Sequence, residues 1–200
     1  MADLMDLLQG QLSEGLLEQL SGQIGADRQQ TQAATEGILS TMMGAMAKNA
    51  STTEGASALA GALDRDHDGS ILDDVMGYLG GSVQAQNQKT MNGGGILNHI
   101  LGNKQNGAVD MISQMSGLDS SKTGNLMTIL APMVMGALGR QKREQGLDAG
   151  GITDLLTNSV QTAGQQRQEM GIIGKFLDQD GDGSVIDDVA GMLFNRLFKR

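Results

Sequence analysis

Apolar residues recur every three or four positions along most of this chain, which is the spacing of one face of an α-helix. No segment alternates apolar and polar residues for long enough to predict a strand. The pattern therefore predicts an all-α protein. The clearest runs are Leu4, Leu7, Leu8, Leu12, Leu16, Leu17 and Leu20, then Ile38, Leu39, Met42, Met43 and Met46, then Ile71, Leu72, Val75, Met76 and Leu79.

Composition decides what such helices can bury. The chain has 14 methionines, 30 glycines and 2% aromatic residues, so the predicted core consists of Leu, Ile, Val, Met and Ala side chains. Pro132 lies in the apolar run 126–139, where it either kinks the helix or marks its first turn. Four glycines inside helical stretches mark either close helix packing or helix ends, and these are Gly37, Gly44, Gly61 and Gly136.

The sequence repeats itself. Two segments match at an offset of 92 residues, and a third matches at an offset of 114. The matching segments are 16–27 with 108–119, 38–47 with 130–139, and 63–79 with 177–193. The difference of 22 residues predicts an insertion in the second copy, a polar, Gln-rich connector within 157–176.

These repeats predict two homologous helical units in tandem, each with an EF-hand-like DxDxDG loop followed by a helix. The first unit covers 1–82 and the second covers 96–200. Residues 83–95 between them are polar and contain NGGG, which is typical of a linker. NGGG lacks the Lys-Ser/Thr that follows the glycines of a phosphate-binding loop, so a nucleotide site is not indicated.

The net charge of −9 is concentrated in two short segments. Residues 64–74 contain five aspartates and one arginine, and residues 178–188 contain five aspartates and no base. The rest of the chain is therefore neutral overall. This distribution indicates two cation sites and excludes a nucleic-acid-binding protein, which needs a basic face.

The acidic segments match the calcium loop of an EF-hand over their first seven positions. That loop supplies oxygen ligands at alternate positions and turns sharply at a glycine in position six. Gly69 and Gly183 occupy position six, where φ must be positive. Ser70 and Ser184 follow at position seven, where a backbone carbonyl ligates the ion. Positions one, three and five are Asp64, Asp66 and Asp68 in the first loop and Asp178, Asp180 and Asp182 in the second.

Both loops depart from the EF-hand at position twelve. Val75 and Val189 stand where an EF-hand has a bidentate glutamate. We expect one acid of the preceding pair to close each loop instead, and the spacing does not say which one. The pairs are Asp73 with Asp74 and Asp187 with Asp188.

A metal-free helix cap is the alternative interpretation, because Ser70 with Asp73, and Ser184 with Asp187, fit a capping box. It does not explain the aspartates at positions one, three and five, which repel one another unless a cation is present. Many carboxylates on a flexible loop favour Ca²⁺ over Mg²⁺. The sequence therefore predicts two Ca²⁺ ions.

Residues for catalysis are scarce. There is no cysteine, and neither histidine stands in a recognisable nucleophile arrangement, so we expect a protein that is not an enzyme. His67, at position four of the first loop, is expected to point to solvent. His99 is expected on a helix surface rather than at a metal.

The expected location and partners rest on the N-terminal sequence, on the length of the apolar runs and on the composition of the helix faces. The N-terminus has no basic segment before an apolar run, and no apolar run approaches the length of a membrane span, which favours a cytoplasmic protein. Export without an N-terminal signal stays open. The Met-, Gly- and Ala-rich helix faces suggest homo-oligomers or a protein partner, so a calcium sensor or a self-assembling scaffold with structural metal is the alternative function.

Segments 130–156 and 174–193 resemble the bacterial YidB-like family, domain of unknown function 937. The resemblance rests on LAPMVMGALGRQKREQGLDAGGITDLL and GKFLDQDGDGSVIDDVAGML, and a weaker copy covers 4–80. That copy lacks the proline and has Ala47, Lys48 and Asn49 at the G-R-Q positions. The resemblance implies a bacterial, all-α, intracellular protein and supplies no activity.

Overall fold

The computed structural model describes residues 8, 10, 13–67, 69, 72 and 92–166. Every regular element in these ranges is helical, which confirms the all-α prediction. One of them is a 3₁₀ turn, Gly102–Lys104. The helices are α1 (Glu14–Ile24), α2 (Arg28–Asn49), α3 (Thr53–Asp66), α4 (Gly93–Leu101), α5 (Gln105–Ser116), α6 (Ser120–Gln145) and α7 (Ala149–Gln166).

The two long helices α2 and α6 pack against each other and form the centre of the described core. Helices α5 and α7 pack on α2, while α3 and α4 pack on α6. The core is built mainly from Leu, Ile, Met and Ala side chains, as predicted from composition. Methionine fills much of it, since Met42, Met43, Met46 and Met127 are fully buried. Because methionine is unbranched and flexible, it suits gaps between helices that bring few aromatic rings.

Two sharp corners lead into the long helices, and both use a glycine followed by an aspartate. Gly25 ends α1 with φ 63°, and Gly117 ends α5 with φ 72°. Both values are in the left-handed region that favours glycine. Two residues later, Asp27 and Asp119 accept hydrogen bonds from first-turn N–H groups of α2 and α6. Each corner therefore stops one helix and starts the next within three residues.

Several sequence expectations change at the element level. Helix α4 begins at Gly93, with the side chain of Asn92 accepting a hydrogen bond from Gly95 N at 2.9 Å. Residues 93–95 of the predicted linker are therefore helical, while 83–91 lie outside the described residues. Helix α7 likewise continues to Gln166, so the start of the predicted polar connector is helical.

The structure decides between the alternatives given for Pro132 and for the four helical glycines. Pro132 lies twelve residues inside α6, so its expected alternative as a first-turn residue is wrong. None of Gly37, Gly44, Gly61 and Gly136 ends a helix. A Cβ at Gly37 would lie 3.5 Å from Cγ1 of Ile112, in ordinary contact with α5. Close packing therefore explains Gly37.

None of the helices in the described part of the chain is both long enough and apolar enough to cross a lipid bilayer.

Candidate metal centre

The first acidic loop begins inside α3, because this helix ends only at Asp66. Asp64 and Asp66 are thus residues of its last turn. Side chains two positions apart on a helix do not face each other. The helical geometry therefore does not bring these two predicted ligands together, and among the described residues no three His, Asp or Glu side chains converge on one point.

Asp64 instead forms an ion pair with the ammonium group of Lys142 on α6. The lysine side chain is mostly buried, with 16% of its surface exposed, whereas 61% of the Asp64 side chain is exposed. A half-exposed pair of this kind is screened by water and contributes little to stability by itself. Its consequence is positional, since it links the start of the acidic loop to α6.

Gly69 turns the chain as predicted for position six, with φ 90°. Its carbonyl accepts hydrogen bonds from Leu72 N at 3.1 Å and from Nη2 of Arg140 at 3.0 Å. A Cβ at this position would lie 2.8 Å from Cβ of Arg140 and 3.1 Å from the carbonyl oxygen of Gly136. The turn thus lies directly on the backbone of α6, and only glycine fits there without displacement.

His67 is placed differently from the sequence expectation. Its side chain was expected to point to solvent, but only 5% of the residue surface is exposed. It follows the last helical residue with φ −136° and ψ 63°, a conformation outside the helical region. The expectation was based on the outward position four of an EF-hand loop, and here α3 continues two residues too far for that geometry. His99 lies exposed on α4, as expected.

Two of the twelve predicted ligands, Asp64 and Asp66, are among the residues that the structure describes. The others lie outside the described residues, namely Asp68, Ser70, Asp73, Asp74, Asp178, Asp180, Asp182, Ser184, Asp187 and Asp188. The two-ion assignment therefore stays a prediction.

Sequence reasoning missed the two basic residues of α6 that contact the loop. Arg140 and Lys142 are separated from it by more than 70 residues, and the repeat pattern assigned them to the second unit. The sequence offered one signal. Both basic residues stand in the last turns of a long apolar helix, where they could balance part of the charge of the acidic loop.

A family model described as "Bacterial protein of unknown function (DUF937)" matches residues 6–141. The match crosses the predicted boundary at 83–95 instead of ending there. No curated protein matches the chain, and no solved structure matches it either.

Proposed function

We propose that this chain, which belongs to the bacterial family DUF937, is a non-catalytic calcium-binding protein with one Ca²⁺ at each DxDxDG loop. Each ion would clamp its loop and fix the direction of the helix that follows, so that binding energy becomes folding energy. The observation that carries the proposal is the turn at Gly69, where φ is 90° at the position at which a calcium loop must reverse direction.

Charge supports the same proposal. Five carboxylates lie within 64–74, and the described contacts supply the ammonium of Lys142 to one of them. The segment itself carries a charge of −4, because its five aspartates stand against one arginine. A divalent ion with six to eight oxygen ligands offsets several at once.

Binding requires a local rearrangement of α3. Asp64 and Asp66 can converge only if the last helical turn opens from Asp64 onward. This change is small, because the final turn of a helix has carbonyls without intrahelical donors and is its least stable part. Coordination of the two carboxylates would then offset the lost helical hydrogen bonds.

The finer architecture belongs to the proposal as well: two homologous units in tandem. The offset of 92 residues superimposes the corners described above, placing Gly25 on Gly117 and Asp27 on Asp119. It also pairs Thr31 with Thr123, and both are fully buried. Equivalent residues thus have equivalent structural roles.

Reciprocal hydrogen bonds between the units support the duplication independently. Nε2 of Gln30 donates to the carbonyl of Gly117 at 2.9 Å. Nζ of Lys122 donates to the carbonyl of Gly25 at 2.6 Å. Donors and acceptors are each related by the same 92 residues. Such exchange is what a two-fold relation between two copies produces.

The scaffold alternative is less favoured by the described residues. Its predicted Met-rich faces on α2 and α6 are packed inside this chain's own core. In the described ranges, Met115 is the one large apolar residue that is exposed, with 43% of its surface accessible. An assembly through methionine faces would therefore need surfaces other than these.

Calorimetric titration with Ca²⁺ tests the proposal. The natural chain should bind two ions, and Asp66→Ala and Asp180→Ala should each bind one. Asp154→Ala is the matched control, because it removes an exposed carboxylate of α7 outside both loops and should still bind two. Two ions bound by either loop variant, or none bound by the natural chain, would refute the assignment.

A further inference from the structure

A cavity of about 370 Å³ lies where α3 and α4 meet α6. Its volume is within the range of about 300–1,000 Å³ that is typical of small-molecule sites. Most of its wall is apolar, with Leu59 of α3, Ile96 and Ile100 of α4, and Met135 of α6. This lining suits a hydrocarbon group.

The polar part of the wall offers hydrogen-bond donors and includes Asn92. Arg65, His67 and His99 line the cavity, and they include both histidines of the chain. Among the described lining residues there is no carboxylate. Guanidinium and imidazole N–H groups donate strong hydrogen bonds to carboxylate oxygens. The chemistry thus favours an acidic group over a neutral or basic one.

We propose that this cavity binds a small amphipathic carboxylate. The carboxylate contacts Arg65 and the two histidines, and the hydrocarbon chain lies against Leu59, Ile96 and Met135. Because His67 is buried, it holds the acid group inside the cavity, whereas the exposed Arg65 and His99 stand nearer its opening. Arg65 and His67 belong to the first acidic loop, so the site is proposed for the calcium-free chain, in which α3 is helical to Asp66.

The two histidines make the test specific. Their ring signals in a ¹H–¹⁵N spectrum report on this cavity, since the chain has no other histidine. Decanoate added to the full chain in calcium-free buffer should shift both ring signals in a saturable way. Decanol and acetate, which each lack one half of the amphipathic structure, should bind at least tenfold more weakly.

Variants assign the binding to the cavity. Arg65→Gln should weaken decanoate binding about tenfold, because a charge-assisted contact is lost. Arg28→Gln is the matched control, since it removes an exposed arginine of α2 and should bind decanoate normally. Ala62→Leu places a larger side chain in the wall and should abolish the shifts; Ala58→Leu, at an exposed lining position, should weaken them.

Four results would overturn the proposal. The first is that both ring signals stay unchanged when decanoate is in about tenfold excess over the protein, which would largely saturate a micromolar site. The second is that decanol binds as tightly as decanoate. The third is equal binding by the Arg65 and Arg28 variants, and the fourth is normal binding by folded Ala62→Leu or Ala58→Leu. None of these results bears on the calcium titration.

Discussion

Gly69 fixes the first acidic loop against α6 through its backbone. A positive φ costs an L-residue about 1–3 kcal/mol, and a Cβ 2.8 Å from that of Arg140 adds a steric clash. Gly69→Ala should therefore lower the free energy of unfolding by about 2–4 kcal/mol. Chemical denaturation followed by circular dichroism measures this change.

Gly22→Ala is the control for that substitution. Gly22 lies in α1, and a Cβ there has no atom within 4 Å. The same chemical change should then raise stability by up to about 1 kcal/mol, because alanine favours a helix. Equal effects of the two substitutions would show that Gly69 does not lie on α6 as described.

His67 illustrates what a residue pattern leaves undetermined. The motif assigned it to position four, and motif geometry predicted an exposed side chain. It follows the end of α3 at Asp66 and lines a cavity together with residues of α4 and α6. Such contacts involve residues far apart in the chain, and local spacing does not encode them.

At the scale of elements, Pro132 in α6 and Gly93 at the start of α4 together allow a close contact between the two helices. Proline has no N–H, so the carbonyl of Thr128, four residues earlier in α6, loses its intrahelical donor. The start of α4 lies against this carbonyl, since a Cβ at Gly93 would be only 2.0 Å from its oxygen. A glycine lets the two backbones approach where the proline has opened the helix.

Gly93→Ala should destabilise the protein by about 3 kcal/mol or more, because the new methyl group would overlap backbone atoms that cannot move freely. The neighbouring Gly94→Ala is the control. A Cβ there would approach only Oδ1 of Asn92, at 3.9 Å, and the residue is exposed. Thermal unfolding of both variants distinguishes them. A Gly93 variant as stable as the Gly94 variant would contradict the described contact.

This contact also shows why element boundaries were partly missed. The helical spacing of Ile38, Leu39 and Met42 predicted α2 well, since an amphipathic pattern depends on local sequence. The NGGG segment was interpreted as a linker because glycine is a poor helix former. Its helical state depends on a carbonyl of α6 that lies 35 residues further along the chain, which no local pattern contains.

For the whole molecule, the repeat predicted which residues are equivalent but not how the units pack. Helix α2 packs against α5 and α7 of the other proposed unit, whereas α6 packs against α3 of the other unit and against α4 and α5 of its own. The packing of the first loop on Arg140 follows from this arrangement. The family match over 6–141 likewise continues across the proposed boundary between the units.

Lys142 connects this packing to the proposed calcium sites. Its ammonium group pairs with Asp64, which is also the predicted ligand at position one, so lysine and Ca²⁺ compete for the same carboxylate. Lys142→Met keeps most of the side chain's apolar length and removes the charge. Calcium should then bind the first loop about two- to tenfold more tightly. The ion no longer has to displace the lysine ammonium group from Asp64, and no positive charge is left beside it.

The measurement is cleanest in the Asp180→Ala background, where only the first loop should bind. Arg28→Met removes the same charge from an exposed ion pair with Glu14 and should leave the calcium affinity unchanged. Without calcium, Lys142→Met should be less stable than its parent, since the aspartates lose their counter-charge. Saturating calcium should reduce this difference in stability between the variant and its parent. The ion binds the variant more tightly and therefore stabilises its folded state more. An unchanged or weaker affinity in the lysine variant would mean that Asp64 is not a ligand, and that α3 remains helical to Asp66 when calcium is present.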